Sequence, residues 1–230
     1  MELTEVKDLS ISCDNKYTYN GSKVPRVTQI IHKMTPNEAL IRWANSLGFK
    51  HQHYTTVLNE AATYGTNTHS AIEHILKEEE EPEHANVKYS VDAFKAWWQT
   101  INKSNVIRIL GQEQTLVCEY FGGTYDLLLE INGVPYLVDF KTSNSVSYRY
   151  YLQLAAYSYM LKLQGINIGG VIILQLSKTS PSYNEYVLDL INNPNHRAYF
   201  DLCEKTFLSL VYSYYHITYL EENFDGTKQR

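Results

Sequence analysis

Thr124 to Lys141 reads TYDLLLEINGVPYLVDFK, and this stretch decides the fold because it is a β-hairpin that turns at Asn132-Gly133. Asn-Gly is the strongest short-range signal for a two-residue type I′ turn, and the residues on either side, Leu127 to Ile131 and Val134 to Val138, are strand-like. A two-residue loop sets Ile131 opposite Val134. Counting outward from there sets Asp126 opposite Asp139. Facing residues of an antiparallel pair share a face, with Cβ atoms roughly 5 Å apart. Side chains alternate along a strand, so Lys141 joins Asp139 on that face while Val138 and Phe140 turn to the other.

Two carboxylates held opposite one another repel, and a cation or a shared proton relieves the repulsion. Oxygen ligation with few carboxylates suits Mg²⁺, which keeps several waters and completes its shell with substrate phosphate oxygens. A neighbouring lysine adds a positive charge for a developing oxyanion or an attacking water. Phosphodiester hydrolysis fits this set. The competing reading is a half-buried acidic hairpin face neutralised by Lys141, since structural ion pairs also perturb carboxylates.

Three further segments extend the pattern. Gly123-Thr124-Tyr125-Asp126, then Val138-Asp139-Phe140-Lys141-Thr142, then Gln153 and Tyr157 resemble the GxxD, (D/E)xK and QxxxY motifs of the PD-(D/E)XK nuclease superfamily. Gly65-Thr66-Asn67-Thr68-His69 followed by Glu73 is similar to the GTxxHxxxE helix of its RecB-type exonuclease branch, and Thr18 to Trp43 resembles the lead-in of phage and mitochondrial genome-maintenance exonucleases. The likeness spans about residues 18 to 178.

The resemblance implies an α/β fold with a restriction-endonuclease-like α-β-β-β-α-β core, a mixed sheet flanked by helices, and an N-terminal helical extension. It implies Mg²⁺ or Mn²⁺ held by Asp126, Asp139 and the Phe140 backbone carbonyl, with His69 near the metal or scissile phosphate. Lys141 would position or deprotonate the attacking water, while Gln153 and Tyr157 look back at the lysine and phosphate. His69 also admits a plain reading as a helix-face residue paired with Glu73, one turn away. Glu113 precedes Asp126 by thirteen residues on the preceding strand. A turn near Glu119-Tyr120 sets Glu113 opposite Asp126, and a turn at Gly122-Gly123 sets Glu119 there instead; Glu113 ranks first as a further metal or water ligand. The tyrosines around Gln153, namely Tyr148, Tyr150, Tyr151, Tyr157 and Tyr159, either pack or stack unpaired bases.

Composition bounds the rest. A chain of 230 residues with 44% hydrophobic content buries one sizeable core. The expectation is one domain over residues 1–230, with an N-terminal helical part at 18–110, a catalytic core at 111–190 and a C-terminal helix at 191–220. No apolar run approaches the ~20 residues that span a bilayer, and MELTEVKDLS lacks the apolar core of a signal peptide, so a cytoplasmic protein without membrane contact is expected. Cys13, Cys118 and Cys203 are dispersed, which fits buried small hydrophobes and argues against the four-cysteine ligation of an iron–sulfur cluster. The absence of GxxxxGK[ST] argues against a nucleotide cofactor. The net charge is −5, yet Gly21 to Leu58 carries Lys23, Arg26, Lys33, Arg42 and Lys50 against Glu38 alone, and Lys141 to Ser180 carries four bases and no acid. The acidic excess lies in Glu78 to Glu83 and at Glu221-Glu222, read as solvated surface. The partner expected is DNA, bound through single-stranded ends.

Periodicity and turn signals predict short strands around Asn20-Gly21, and a helix opened by Pro36 with Thr35 as N-cap. Helices are further predicted at Thr66–Glu79, Ser90–Lys103, Tyr148–Leu163 and Asn195–Leu220. Strands are predicted at Gln112–Cys118, Thr124–Glu130, Pro135–Phe140, Val171–Leu176 and Tyr183–Leu188. Three functions follow from these readings: a metal-dependent DNA exonuclease of replication, recombination or degradation in a phage setting; a structure-specific flap or junction endonuclease; and a DNA-binding or assembly module that has lost catalysis. Intact Asp126, Asp139 and Lys141 disfavour the third.

Overall fold

The computed structural model describes residues 3–6, 9, 11, 17–36, 38–80, 82 and 85–224. Cys13 and the acidic residues Glu81 and Glu83 lie outside them. The hairpin predicted at Asn132-Gly133 is present, with both residues at positive φ, 52° and 83°, as a type I′ turn requires. It joins β4 (Gly122–Ile131) to β5 (Val134–Lys141), and Ile131 pairs with Val134. Together with β3 (Ile107–Val117), β6 (Gly170–Leu176) and β7 (Tyr183–Asp189) these strands form one sheet in the order β3-β4-β5-β6-β7. All neighbours are antiparallel except β5 and β6, which are parallel because α5 (Tyr148–Leu163) carries the chain back between them. The result is the expected mixed α/β sheet flanked by helices, preceded by a helical segment.

Strand alternation divides the core in two. Leu127, Leu129, Val138, Phe140, Ile172 and Leu174 pack against Phe94, Trp97 and Ile101 of α4 (Lys88–Ser104) and against Ile72 of α3 (Tyr54–Leu76). Leu128, Leu137, Val171 and Ile173 point the other way, onto α5, α1 (Val27–Met34) and α6 (Pro194–Asn223). Each such fully buried side chain contributes about 1.5–3 kcal/mol, so both faces of the central strands are heavily committed.

Several boundaries differ from expectation. The helix α3 begins at Tyr54 rather than Thr66, so Gly65 sits mid-helix. A Cβ there would meet nothing nearer than Thr142 Oγ1 at 3.8 Å, so neither space nor backbone conformation demands a helix break. Thr35 is the C-cap of α1, with both its N–H and its hydroxyl donating to the Ile31 carbonyl, and the next helix, α2, spans Glu38–Phe49. The strand β3 starts five residues earlier than predicted, ahead of a register shift between Ile109 and Gly111. Before α1 a small hairpin pairs β1 (Tyr17–Tyr19) with β2 (Ser22–Val24) about Asn20-Gly21. No helix among the described residues is long and apolar enough to cross a membrane.

Candidate metal centre

The site forms where β4 and β5 part. Their pairing runs from Ile131↔Val134 to Leu127↔Val138 and stops one residue short of Asp126 and Asp139. The backbone groups of Phe140, no longer bonded to β4, are taken up by side chains. Its N–H donates to Asp126 Oδ2 at 2.7 Å, and its carbonyl accepts from His69 Nε2 at 3.1 Å. Asp126 thereby turns toward α3 instead of standing in the ladder across from Asp139. Burial of both carboxylates, at 7% and 1% exposed, makes such compensation obligatory.

The strand β3 brings a third acidic residue to the site. The turn at Cys118 to Phe121, closed by Cys118 N–H to the Phe121 carbonyl, keeps Gly122 and Gly123 inside β4. Pairing steps from Gln112↔Leu127 to Gln114↔Tyr125, which leaves Glu113 facing Asp126. Of Glu113 and Glu119, it is Glu113 that stands across from Asp126. Glu113 has φ of 46°, a left-handed conformation that a non-glycine residue adopts at a cost of about 1–3 kcal/mol. His69 Nδ1 lies 3.5 Å from Asp126 Oδ1 and 3.6 Å from Glu113 Oε1. One donor atom from each of the three residues falls within 4.8 Å of the others. Ligands on an ion about 2.1 Å away stand about 3 to 4.2 Å apart, so His69, Glu113 and Asp126 suit a metal ion with little adjustment.

Asp139 is paired with Lys141. Both of its carboxylate oxygens lie 2.7 Å from Lys141 Nζ, with Oδ1 in hydrogen-bonding geometry and Oδ2 not. Burial pushes the Asp139 carboxyl up, to about 6, while Lys141 opposes the shift and Asp126 adds to it. Burial lowers the Lys141 pKa, but Asp139 and Asp126 outweigh it and hold the ammonium above its ordinary value. At neutral pH this is an ion pair. Burial likewise lowers the His69 pKa, yet Asp126 and Glu113 prevail over it and over Lys141, raising the imidazole to about 9. In the absence of a metal, the imidazolium serves as counter-ion to the two acids.

The Glu73 pairing of His69 does not form; Glu73 binds Lys77 at 2.6 Å. What fixes the imidazole is the Phe140 carbonyl together with an edge contact to the Phe140 ring, centroids 5.9 Å apart. Gln112 Nε2 donates to the Glu73 carbonyl at 2.9 Å and ties α3 to β3 below it. Gln153 donates to the Tyr157 hydroxyl at 3.1 Å, and Tyr157 is buried against Gly123, where a Cβ would come within 2.5 Å of its ring. The GxxD glycine and the QxxxY tyrosine therefore belong to one packing unit. The aromatic ring over Lys141 is Tyr150, with Nζ 4.9 Å from its centroid and its hydroxyl donating to Ser143 at 2.9 Å. Its signal in the sequence was the three-residue spacing to Gln153. Of the tyrosines on α5, Tyr148 is the exposed one, while Tyr151 and Tyr159 pack against Tyr199 and Phe121. Cys118 and Cys203 are free and buried.

These features define a mixed α/β protein with a candidate metal centre at the opening of its central hairpin. No family model and no curated protein matches the chain. Solved structures similar to it include the following two. The crystal structure of SSO0001 is 15% identical, with a TM-score of 0.38, over 86% of this chain and 79% of that one. A crystal structure named "Putative exonuclease" from Eubacterium rectale is 15% identical, with a TM-score of 0.39, over 66% of this chain and 68% of that one.

Proposed function

We propose that the chain is one metal-dependent nuclease domain that hydrolyses DNA phosphodiester bonds, working as an exonuclease on single-stranded ends. The observation that carries this reading is the convergence of His69, Glu113 and Asp126 beside the buried Asp139–Lys141 pair. Those three residues would hold Mg²⁺ or Mn²⁺, joined by Asp139 through Oδ2, the oxygen with no hydrogen bond. When bound, the ion supplies Lewis acidity toward a phosphate oxygen and a lowered pKa for water.

The remaining roles fall to the chain's own groups. The Nε2–H of His69, anchored on the Phe140 carbonyl, leaves Nδ1 beside Asp126 and Glu113, where it would be available to hold an ion once deprotonated. Lys141 would place its ammonium beside the scissile phosphate, to position or deprotonate the attacking water. Tyr150 and Asp139 hold that ammonium in place. Gln153 and Tyr157 act one layer back, through Gly123 and β4. The net charge of −5 disfavours a long duplex footprint, and Tyr148, half exposed at the start of α5, offers a ring for an unpaired base.

End-labelled linear single strands, matched blunt duplexes and circular single strands test the reading at one salt concentration. Linear single strands should be degraded with Mg²⁺ and spared with a chelator, faster than blunt duplex, and circles should survive. Cutting of circles reassigns the chain to endonucleases, equal rates on the two linear forms remove the strand preference, and inertness toward all three overturns the proposal.

A further inference from the structure

The strands β5 and β6 end side by side at the Lys141↔Gln175 pair. The segments that leave them, 142–144 ahead of α5 and 177–182 before β7, enclose a cavity of about 280 Å³. Apart from Leu176 its lining is polar, mostly hydroxyl and amide residues; it contains no carboxylate and holds one charged side chain, Lys178. Most of these polar groups are engaged with one another. Gln175 donates to the Ser143 carbonyl at 2.7 Å and accepts from Asn184 at 3.1 Å. The hydroxyls of Ser177, Ser180 and Ser182 form a chain with links of 3.2 and 2.8 Å.

Lys178 and Thr142 remain open. Among the described residues Lys178 has no ion pair and no hydrogen bond; its Nζ lies 4.8 Å over the Tyr64 ring, and burial holds its pKa below the ordinary lysine value. The Thr142 hydroxyl likewise has no hydrogen-bond partner among the described residues. An ammonium steered by an aromatic face, beside hydroxyl donors and away from any carboxylate, is suited to an anion with several acceptor oxygens. A cavity of this size, near the ~300 Å³ lower bound for small-molecule pockets, takes a phosphodiester unit rather than a larger ligand.

This cavity adjoins the metal centre. Thr142 follows Lys141 in the chain, and its Oγ1 lies 3.8 Å from the Cβ position of Gly65. Gly65 in turn lines a second cavity, of about 350 Å³, with His69 and Glu113. Tyr64 and Gly65 of α3 thus stand between the two. We propose that the first cavity is a second phosphate site, in which Lys178 and the Thr142 hydroxyl hold a backbone phosphate of the same strand whose neighbouring linkage lies at the metal centre. The assignment rests on reading that centre as a phosphodiester hydrolase.

Binding of a fluorescent single-stranded oligonucleotide to the full chain, in chelator and across a salt series, tests it with Lys178→Gln and Lys178→Arg. The Gln variant should bind about five- to tenfold more weakly, and its log–log salt slope should be shallower by about 0.7, one phosphate contact on a single strand. The Arg variant should keep the wild-type slope, and both should melt with the wild type. A Gln variant that matches the wild type in affinity and slope overturns the site, as does wild-type protein that binds no oligonucleotide. Metal-dependent cleavage, measured in parallel, separates the two claims. A wild type that cleaves while the Gln slope is unchanged leaves the hydrolase reading standing and removes the phosphate site. A wild type that never cleaves, with the Gln slope still shallower, does the reverse.

Discussion

At Asp126 one side chain carries two loads, the charge it presents to His69 and the hydrogen bond that Phe140 N–H lost when the strands parted. An amide oxygen can keep the second and not the first. Asp126→Asn should therefore reduce Mg²⁺-dependent cleavage by more than a hundredfold while leaving the melting temperature within a few degrees, as rate and melting measurements on one preparation would show. Lys141→Ala is a different test, because it strands a carboxylate that is almost fully buried. Removing one partner of a buried pair costs about 3–5 kcal/mol. Protonation of Asp139 recovers part of that, so chemical denaturation should show a loss nearer 2–3 kcal/mol alongside lost cleavage. Wild-type stability in this variant would mean that the pair is more hydrated than its burial indicates. Glu113 differs from both. Glycine adopts its positive φ freely, and that relief offsets the lost contact with His69, so Glu113→Gly should leave stability within about 1 kcal/mol of wild type while weakening Mn²⁺ binding by titration. A larger loss of stability would place Glu113 among the structural residues.

The elements legible in the sequence were those whose signals are local. The turn Asn132-Gly133, the register it sets and the limits of α5 follow from neighbouring residues, and the structure has them as read. Whatever depended on distant partners was harder to read. The predicted start of α3, Thr66, follows Gly65, and the helix runs through that glycine, whose neighbour across the gap, Thr142, is far away in sequence. The helix α1, whose buried Val27, Ile30 and Ile31 pack on α5 and α6, is not among the predicted helices, because the Asn20-Gly21 turn signal beside it reads as strand–turn–strand. The choice of Glu113 over Glu119 needed the position of the Cys118–Phe121 turn, which no strong turn pair announces. Likewise the sequence brought Asp126, Asp139 and Lys141 together but gave no sign that the ladder would open and divide them between His69 and Lys141. The contact of Gly123 with Tyr157 links two elements that the sequence keeps apart, and it yields an element-scale prediction. A methyl group at 123 must displace a buried ring, so Gly123→Ala should cost about 1–3 kcal/mol and lower the cleavage rate. A double-mutant cycle with Tyr157→Leu should recover at least 0.5 kcal/mol, and strict additivity would show that the two positions do not interact.

For the whole molecule, the metal-free protein holds an arrangement whose stability depends on protons. His69 is raised to about 9 from an ordinary 6.5 by the acids around it. Its contribution to stability is therefore complete below pH 6.5 and is lost as pH rises through 9. Asp139, raised to about 6 from 3.8 by burial, acts in the same direction at lower pH, since ionising it inside the fold costs more than ionising it in the unfolded chain. Its contribution is present below pH 3.8 and is lost as pH rises through 6. In chelator, stability should fall from pH 6.5 to 9 by roughly 2 kcal/mol, the full His69 shift discounted for a side chain that is 28% exposed. For a chain of this size that is a fall of about 4–8 °C in melting temperature. Mg²⁺ should reverse the trend, because a divalent ion replaces the imidazolium as counter-ion and needs Nδ1 without its proton, so the stabilisation by Mg²⁺ should grow between pH 6.5 and 9. His69→Gln removes the titrating group and should flatten the metal-free profile over that interval while reducing the Mg²⁺ increment. A variant whose melting temperature still drops across pH 6.5 to 9 as the wild type does would locate the titration elsewhere and detach His69 from the metal centre.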